Sequence, residues 1–343
     1  MTLYSYHASH EQVAPRDLLG FVQRAEQAGF DAAFSSDHLQ PWSSAQGQSG
    51  FAWAWLGAAL QATQRLTFGI ITVPGGWRYQ PAVLAQAVAT LGQMYPGRLP
   101  WVALGSGQAM NEHVTGLPWP DKAERNARLR EGAEIMRALL AGETVTHRGR
   151  VSAVEAKVWS RPETPTRLVG AATTPETAAW LGTWADGLLT VGCRPDALAR
   201  IVEAFRENGG ADKPIFLKFD LSYAPDPDEA LHQAHAQWRF NQIGSPAAWE
   251  LRGPAEFEAA ARFVRPEDMH AQVLVSGDLP AIIDRIAACA ALGFDSIDLH
   301  QVGGSQPAFI DLFGERVLPA LRARKAPAAD FDPTAVMPAA RAR

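Results

Sequence analysis

Cysteine is almost absent from this chain. Cys193 and Cys289 are the two in 343 residues, with no Cys or His beside either at metal-ligand spacing, which excludes a disulfide scaffold and a structural zinc site and gives no metal centre. No run approaches the ~18 apolar residues of a spanning helix, so no membrane partner is expected. Basic stripes are missing too: 31 Lys plus Arg against 36 Asp plus Glu leave a formal net charge of −5, and nothing would track a nucleic-acid backbone. Glycine is lacking from residues 7 to 14, where a dinucleotide-binding sheet carries its GxGxxG turn after the first strand. The opening residues MTLYSYHASHEQ hold no basic segment followed by an apolar stretch, from which a cytoplasmic protein is expected.

What is present is core material and rhythm. Hydrophobic residues make up 47% and charged residues 20%, the balance of a globular protein. Short apolar runs alternate with helical ones: LYSYHAS, then a helix from Pro15 in which Leu18, Val22 and Ala25 recur at helical spacing before Gly29. DAAFSSD, LTFGIITV, LPWVALGSG, TRLVGAA, DGLLTVG, IFLKFDLSYA, AQVLVSG and SIDLHQVG read as further strands, nearly all followed by a helix. Alternation around Gly149 predicts a hairpin inserted at 144–159, and the mixed residues 243–270 form a second insertion. Strands with helical crossovers make a parallel sheet covered on both faces. A count of eight or nine favours closure, giving an α/β TIM (β/α)8 barrel over residues 1–324 as one domain and a loose Ala- and Pro-rich tail at 325–343.

In such a barrel the carboxyl ends of the strands share one face, and chemistry is assembled there. His7 follows the first strand, Asp37 and His38 the second, Gly105, Ser106, Gly107 and Gln108 the fourth, with Glu112 a turn further on. The fifth strand leads to Ala172, Thr173 and Thr174, the sixth to Cys193 and Arg194, and the last to His300. Singly, each has an ordinary role: a histidine bonded to backbone, Asp37 as an N-cap, Trp42 as packing, Glu112 beside a helix dipole. Three imidazoles at one barrel mouth are harder to explain that way. Thr174 as an N-cap with Pro175 at the first helical position leaves N–H groups facing the mouth, suited to a phosphate. A metal-dependent hydrolase lacks the HxH pattern after the first strand.

YHASHEQVAPRDL, SSDHLQPW, WRYQPAVLAQAVATL, ALGSGQAMNE, YAPDPDEA and LHQVGGSQPAFIDLF, in that order over roughly residues 3 to 323, resemble the luciferase-like flavin monooxygenase superfamily. More closely they are similar to its branch of deazaflavin-dependent glucose-6-phosphate dehydrogenases. The resemblance implies an isoalloxazine-type ring at the strand ends, supported by a non-proline cis peptide that maps to Ile71–Thr72. It makes His38 the base on a substrate hydroxyl, with Asp37 and Trp42 positioning cofactor and substrate. The cofactor set becomes Asp37, Ile71, Thr72, Gly105, Ser106, Gly107, Ala172, Thr173 and Thr174. The substrate pocket becomes His7, Trp42, Glu112, Cys193, Arg194 and His300, and a homodimer is implied.

The chain also departs from that branch. Gln108 stands where the relatives carry a catalytic glutamate, and a carboxamide exchanges no proton. Arg194 lies near the first of the branch's sugar-phosphate lysines, while MHAQV offers none at the second. Thr173 and Thr174 replace paired glycines. These departures lead to the expectation of FMN, serving a monooxygenase or hydride-transfer reaction on a small organic molecule, with a separate flavin reductase as partner if it is a monooxygenase. The alternatives are a deazaflavin coenzyme with hydride transfer, or flavin binding without turnover.

Overall fold

The computed structural model describes residues 2–244 and 246–324, so the expected loose tail at 325–343 lies outside the described residues. The chain begins β1 (Leu3–Ala8), α1 (Pro15–Gln27), β2 (Ala32–Ser35), α2 (Ala52–Ala62), β3 (Thr67–Thr72), α3 (Pro81–Met94) and β4 (Trp101–Leu104). A short α4 (Ala109–Glu112) and a long α5 (Lys122–Ala141) lead to an antiparallel hairpin, β5 (Val145–Arg148) and β6 (Ser152–Ala156). Alternation then resumes with β7 (Arg167–Ala171), α6 (Pro175–Gly182), β8 (Leu188–Val191), α7 (Pro195–Phe205), β9 (Ile215–Tyr223) and α8 (Pro227–Trp238). Beyond α9 (Pro254–Ala261) come β10 (Leu274–Ser276), α10 (Leu279–Ala290), β11 (Ser296–Gln301), α11 (Gln306–Leu312) and α12 (Leu318–Ala323).

β1, β2, β3, β4, β7, β8, β9 and β11 pair in that order, all parallel, and β11 returns to β1 to close a TIM barrel. The ninth strand is β10, which pairs with Leu221–Tyr223 of β9 beyond the point where β8 has ended. Among the described residues no helix is long and apolar enough to cross a membrane.

Period-two alternation sorts the strand residues. Tyr4, Tyr6, Phe68, Ile70, Val102, Leu104, Leu168 and Leu217 face outward into one large core shared with the helices. The inward residues divide into two sectors. Phe34, Trp101, Ala103, Val169, Leu189 and Phe216 form an apolar plug, in which Trp101 stacks on Phe34 and Phe216 with ring centroids 5.4 and 4.4 Å away. Gly69 on β3 makes that stack possible, because a Cβ there would sit 2.0 Å from the Trp101 ring. Opposite it, β1, β9 and β11 turn Ser5, His7, Lys218, Asp220, Asp298 and His300 inward as a buried polar sector.

Burial decides how the charges in that sector settle. His7 Nδ1 lies 2.6 Å from Asp298 Oδ2, and Ser5 Oγ donates to the other carboxylate oxygen. Burial raises the Asp298 carboxyl well above its ordinary value and lowers His7 well below its own. Asp220 behaves oppositely. Burial alone would raise it, but the Lys218 ammonium and His300 hold it down to about 2, and Trp238 Nε1 donates to it at 3.2 Å.

Candidate active site

At the carboxyl ends of the strands lies a cavity of ≈ 290 Å³. His38, in the loop after β2, keeps 14% of its side-chain exposure and borders this space, its ring 5.0 Å from that of Trp42. Its Nδ1 lies 3.2 Å from Glu11 Oε1, close enough for strong attraction though off the line of a good hydrogen bond. Glu11 is itself anchored: Ser9 and Ser36 donate to its Oε2 at 3.0 and 2.8 Å. Burial pushes this carboxyl up, but facing His38, a backbone N–H and Ser36 outweigh it and hold Glu11 below the usual range. For His38 burial wins over the attraction of Glu11, and the imidazole titrates below its ordinary value. A neutral ring whose Nδ1 faces a carboxylate leaves Nε2 available to accept a proton.

Asp37, next in sequence, points elsewhere. Its Oδ1 accepts from Arg78 Nη1 at 3.1 Å and Tyr79 Oη at 3.0 Å, and its Oδ2 from Thr72 Oγ1 at 2.9 Å. It therefore ties β2 to β3 and does not orient His38. Trp42 is held by the second insertion, its ring edge-on to Phe257 of α9 at 5.0 Å and its backbone N–H bonded to Gln46.

Ile71, Thr72, Gly105, Ser106, Gly107 and Gln108 form one wall of the cavity, Ala172 and Thr173 another, and His7 reaches it from below. Gln108 Oε1 accepts from Asn111 Nδ2 at 3.3 Å, so its amide nitrogen remains as a donor. Thr174 caps α6, accepting from the Thr177 N–H, and Lys122 at the start of α5 reaches Thr177 Oγ1 at 3.4 Å. Two helix N-termini and an ammonium group thus meet at one end of the cavity, an arrangement that favours anions.

The profile of the family described as luciferase-like monooxygenase matches residues 2–296. The chain belongs to the luciferase-like monooxygenase family. It is an oxidoreductase. Curated relatives include the F420-dependent glucose-6-phosphate dehydrogenases of Beutenbergia cavernae, 38% identical over 95% of this chain and 99% of the relative, and of Microbacterium testaceum, 35% identical over 94% and 98%. A solved F420-dependent secondary alcohol dehydrogenase, in complex with an F420-acetone adduct, superposes with a TM-score of 0.86 at 32% identity, covering 94% of this chain and all of that one. The F420-dependent tetrahydromethanopterin reductase of Methanopyrus kandleri, at 22% identity and TM-score 0.76, shares the fold.

Within this luciferase-like site four expected pocket residues do not border the cavity. Glu112 is fully buried beside it, accepting from the Arg78 backbone N–H at 3.1 Å and lying 3.6 Å from the guanidinium. Burial puts Cys193 in the outer core and raises its thiol to about 12. Arg194 is half exposed and paired with Asp196 at 3.0 Å. His300 stacks behind His7, ring centroids 4.2 Å apart, and is taken up by Asp220 at 2.8 Å and Gln12 at 3.0 Å. In their place the cavity has Glu11, Lys218, Asp220, Trp238 and Trp249. Lys218 and Asp220 carry a sequence signal, two charged residues at period two inside the apolar run IFLKFDLSY.

Proposed function

We propose that the chain is a deazaflavin-dependent dehydrogenase that removes a hydride from the carbinol carbon of a small organic alcohol, with His38 as base on the hydroxyl proton. The observation that carries this is the neutral His38 imidazole on the cavity wall with Glu11 against its Nδ1. FMN, preferred from the sequence, gives way to its alternative because the names of the curated relatives and of the 32% identical structure all specify F420.

The residues suit such a cofactor. Phe34, Ile71, Leu189 and Val191 give the inner end an apolar lining for a flat ring, while Lys122, Asn126 and Thr177 supply cationic and hydrogen-bonding groups at the outer end for an anionic tail. A deazaflavin, once bound, supplies a hydride acceptor that reacts poorly with oxygen. The chain's own residues do the rest. Glu11 stabilises the imidazolium that forms when His38 takes the hydroxyl proton, Trp42 and Trp238 exclude water, and Gln108 donates a hydrogen bond without a proton.

Parallel titrations of the apo-protein with the deazaflavin and with FMN, followed by tryptophan fluorescence, test the cofactor. Tighter deazaflavin binding, and alcohol-dependent bleaching of the bound cofactor without oxygen uptake, are expected. Tighter FMN binding with oxygen consumption would overturn the proposal.

A further inference from the structure

We propose that the compartment adjoining the His38 cavity across Trp42, Trp238 and Trp249 takes a neutral secondary alcohol with an apolar, ring-sized body and rejects a sugar phosphate. This rests on the dehydrogenase proposal above and adds the substrate class. A second cavity of ≈ 260 Å³ adjoins the first, sharing Trp42, Trp238 and Trp249 with it and adding Phe240. Its polar borders, Thr173, Thr174, Asn241 and Gln272, are all uncharged, and among the described residues no Lys, Arg, Asp or Glu lines it. The walls are preformed. Met110 of α4 and Phe240 join Ala248, Phe257 and Ala261 of the second insertion in a small core, against which Trp42 and Trp249 pack.

Two of the three cations that line the neighbouring cavity are in ion pairs. Arg125 pairs with Glu250 at 3.0 Å and lies over the Trp119 ring, and Lys218 pairs with Asp220. Lys122 stands at the α6 end with Thr177, on the side of the cofactor tail. With the α6 N-terminus that borders it at Thr174 taken by the cofactor tail, a phosphate dianion in the aromatic compartment would lose its water without gaining a counter-charge, and so is disfavoured. An apolar body gains in proportion to the area it removes from water.

In the reaction the carbinol C–H bond would break and its electron pair leave with the hydrogen as hydride, for which a bound oxidised deazaflavin would be the acceptor. The O–H proton would pass to His38 Nε2 as the C=O bond forms, and His38 would return it to water once the ketone is made.

The test uses the full chain loaded with oxidised deazaflavin and follows its bleaching with 1-phenylethanol, propan-2-ol and glucose 6-phosphate. We expect kcat/KM for 1-phenylethanol to exceed that for propan-2-ol by about tenfold or more, with no turnover of the sugar phosphate. Glucose 6-phosphate turnover at a comparable kcat/KM, or equal use of propan-2-ol, would overturn the substrate class. Acetophenone titrated against tryptophan fluorescence reads the compartment without turnover: saturable quenching unaffected by inorganic phosphate is expected, and phosphate competition sinks the inference. Gln272→Lys, at an exposed border, should weaken acetophenone binding several-fold, and an unchanged affinity would count against the compartment. If the deazaflavin binds but no alcohol bleaches it, the dehydrogenase proposal fails, and acetophenone quenching alone decides the class of molecule bound.

Discussion

At the scale of single residues, His38 and Glu11 act as one unit built from two loops. The sequence displays the imidazole plainly in SSDHLQPW and suggests Asp37 as its partner because the two are adjacent. Adjacent side chains diverge, however, and Asp37 is saturated by Arg78, Tyr79 and Thr72. The true partner, Glu11, comes from the loop after β1, and only tertiary structure brings it within 3.2 Å. His38→Ala should lower kcat by about 10²- to 10⁴-fold while leaving deazaflavin affinity within several-fold, as read by fluorescence titration. A large loss of binding would make the residue structural. Because burial lowers the His38 pKa, the imidazole is neutral at pH 7, so kcat/KM for alcohol oxidation should be level there and decline only below the ordinary imidazole range. Glu11 attracts the imidazolium, so Glu11→Gln should move that acid limb to still lower pH as well as reduce the plateau. A limb that stays in place would remove Glu11 from the role.

Elements were legible wherever a full period could be counted. The α1 helix starts at Pro15 and buries Leu18, Val22 and Ala25 as its pattern predicts, and the hairpin around Gly149 is β5–β6. Residues 243–270 resist such reading because their helices run three to eight residues, too short to show an apolar stripe. That stretch nevertheless sets the aromatic wall of the site, so specificity was the least legible part of the chain. Lys218, Asp220 and Asp298 could have been found from period-two charges inside apolar strands. Gly69 shows what a strand contributes by omission. Gly69→Ala should destabilise the barrel by about 1–3 kcal/mol through overpacking against Trp101, measured by urea unfolding. An unchanged midpoint would mean the Trp101 ring can move aside.

For the whole molecule, closure follows from eight strand and helix units and was readable from their count, whereas the division of the barrel interior was not. That division gives two interior carboxylates opposite pH behaviour. Asp220, held to about 2 against an unfolded value near ~3.9, contributes stability that is fully present above the unfolded value and lost as pH falls through about 2. Asp298 is raised, so its contribution is full below the unfolded value and lost as pH rises through the folded one. Asp220→Asn should therefore destabilise the fold at pH 7 by about 1–3 kcal/mol, leaving Lys218 without its carboxylate at the cavity edge. Asp298→Asn, at a site where burial favours the neutral acid, should cost less than that. Equal losses in denaturant melts would refute this assignment of charge.

The stacked rings of Phe34, Trp101 and Phe216 cork the barrel from beneath. Cofactor, alcohol, ketone and the proton left on His38 must then all come and go at the carboxyl-end face. The opposite end of the barrel is left free of traffic and can be given over wholly to holding the fold together.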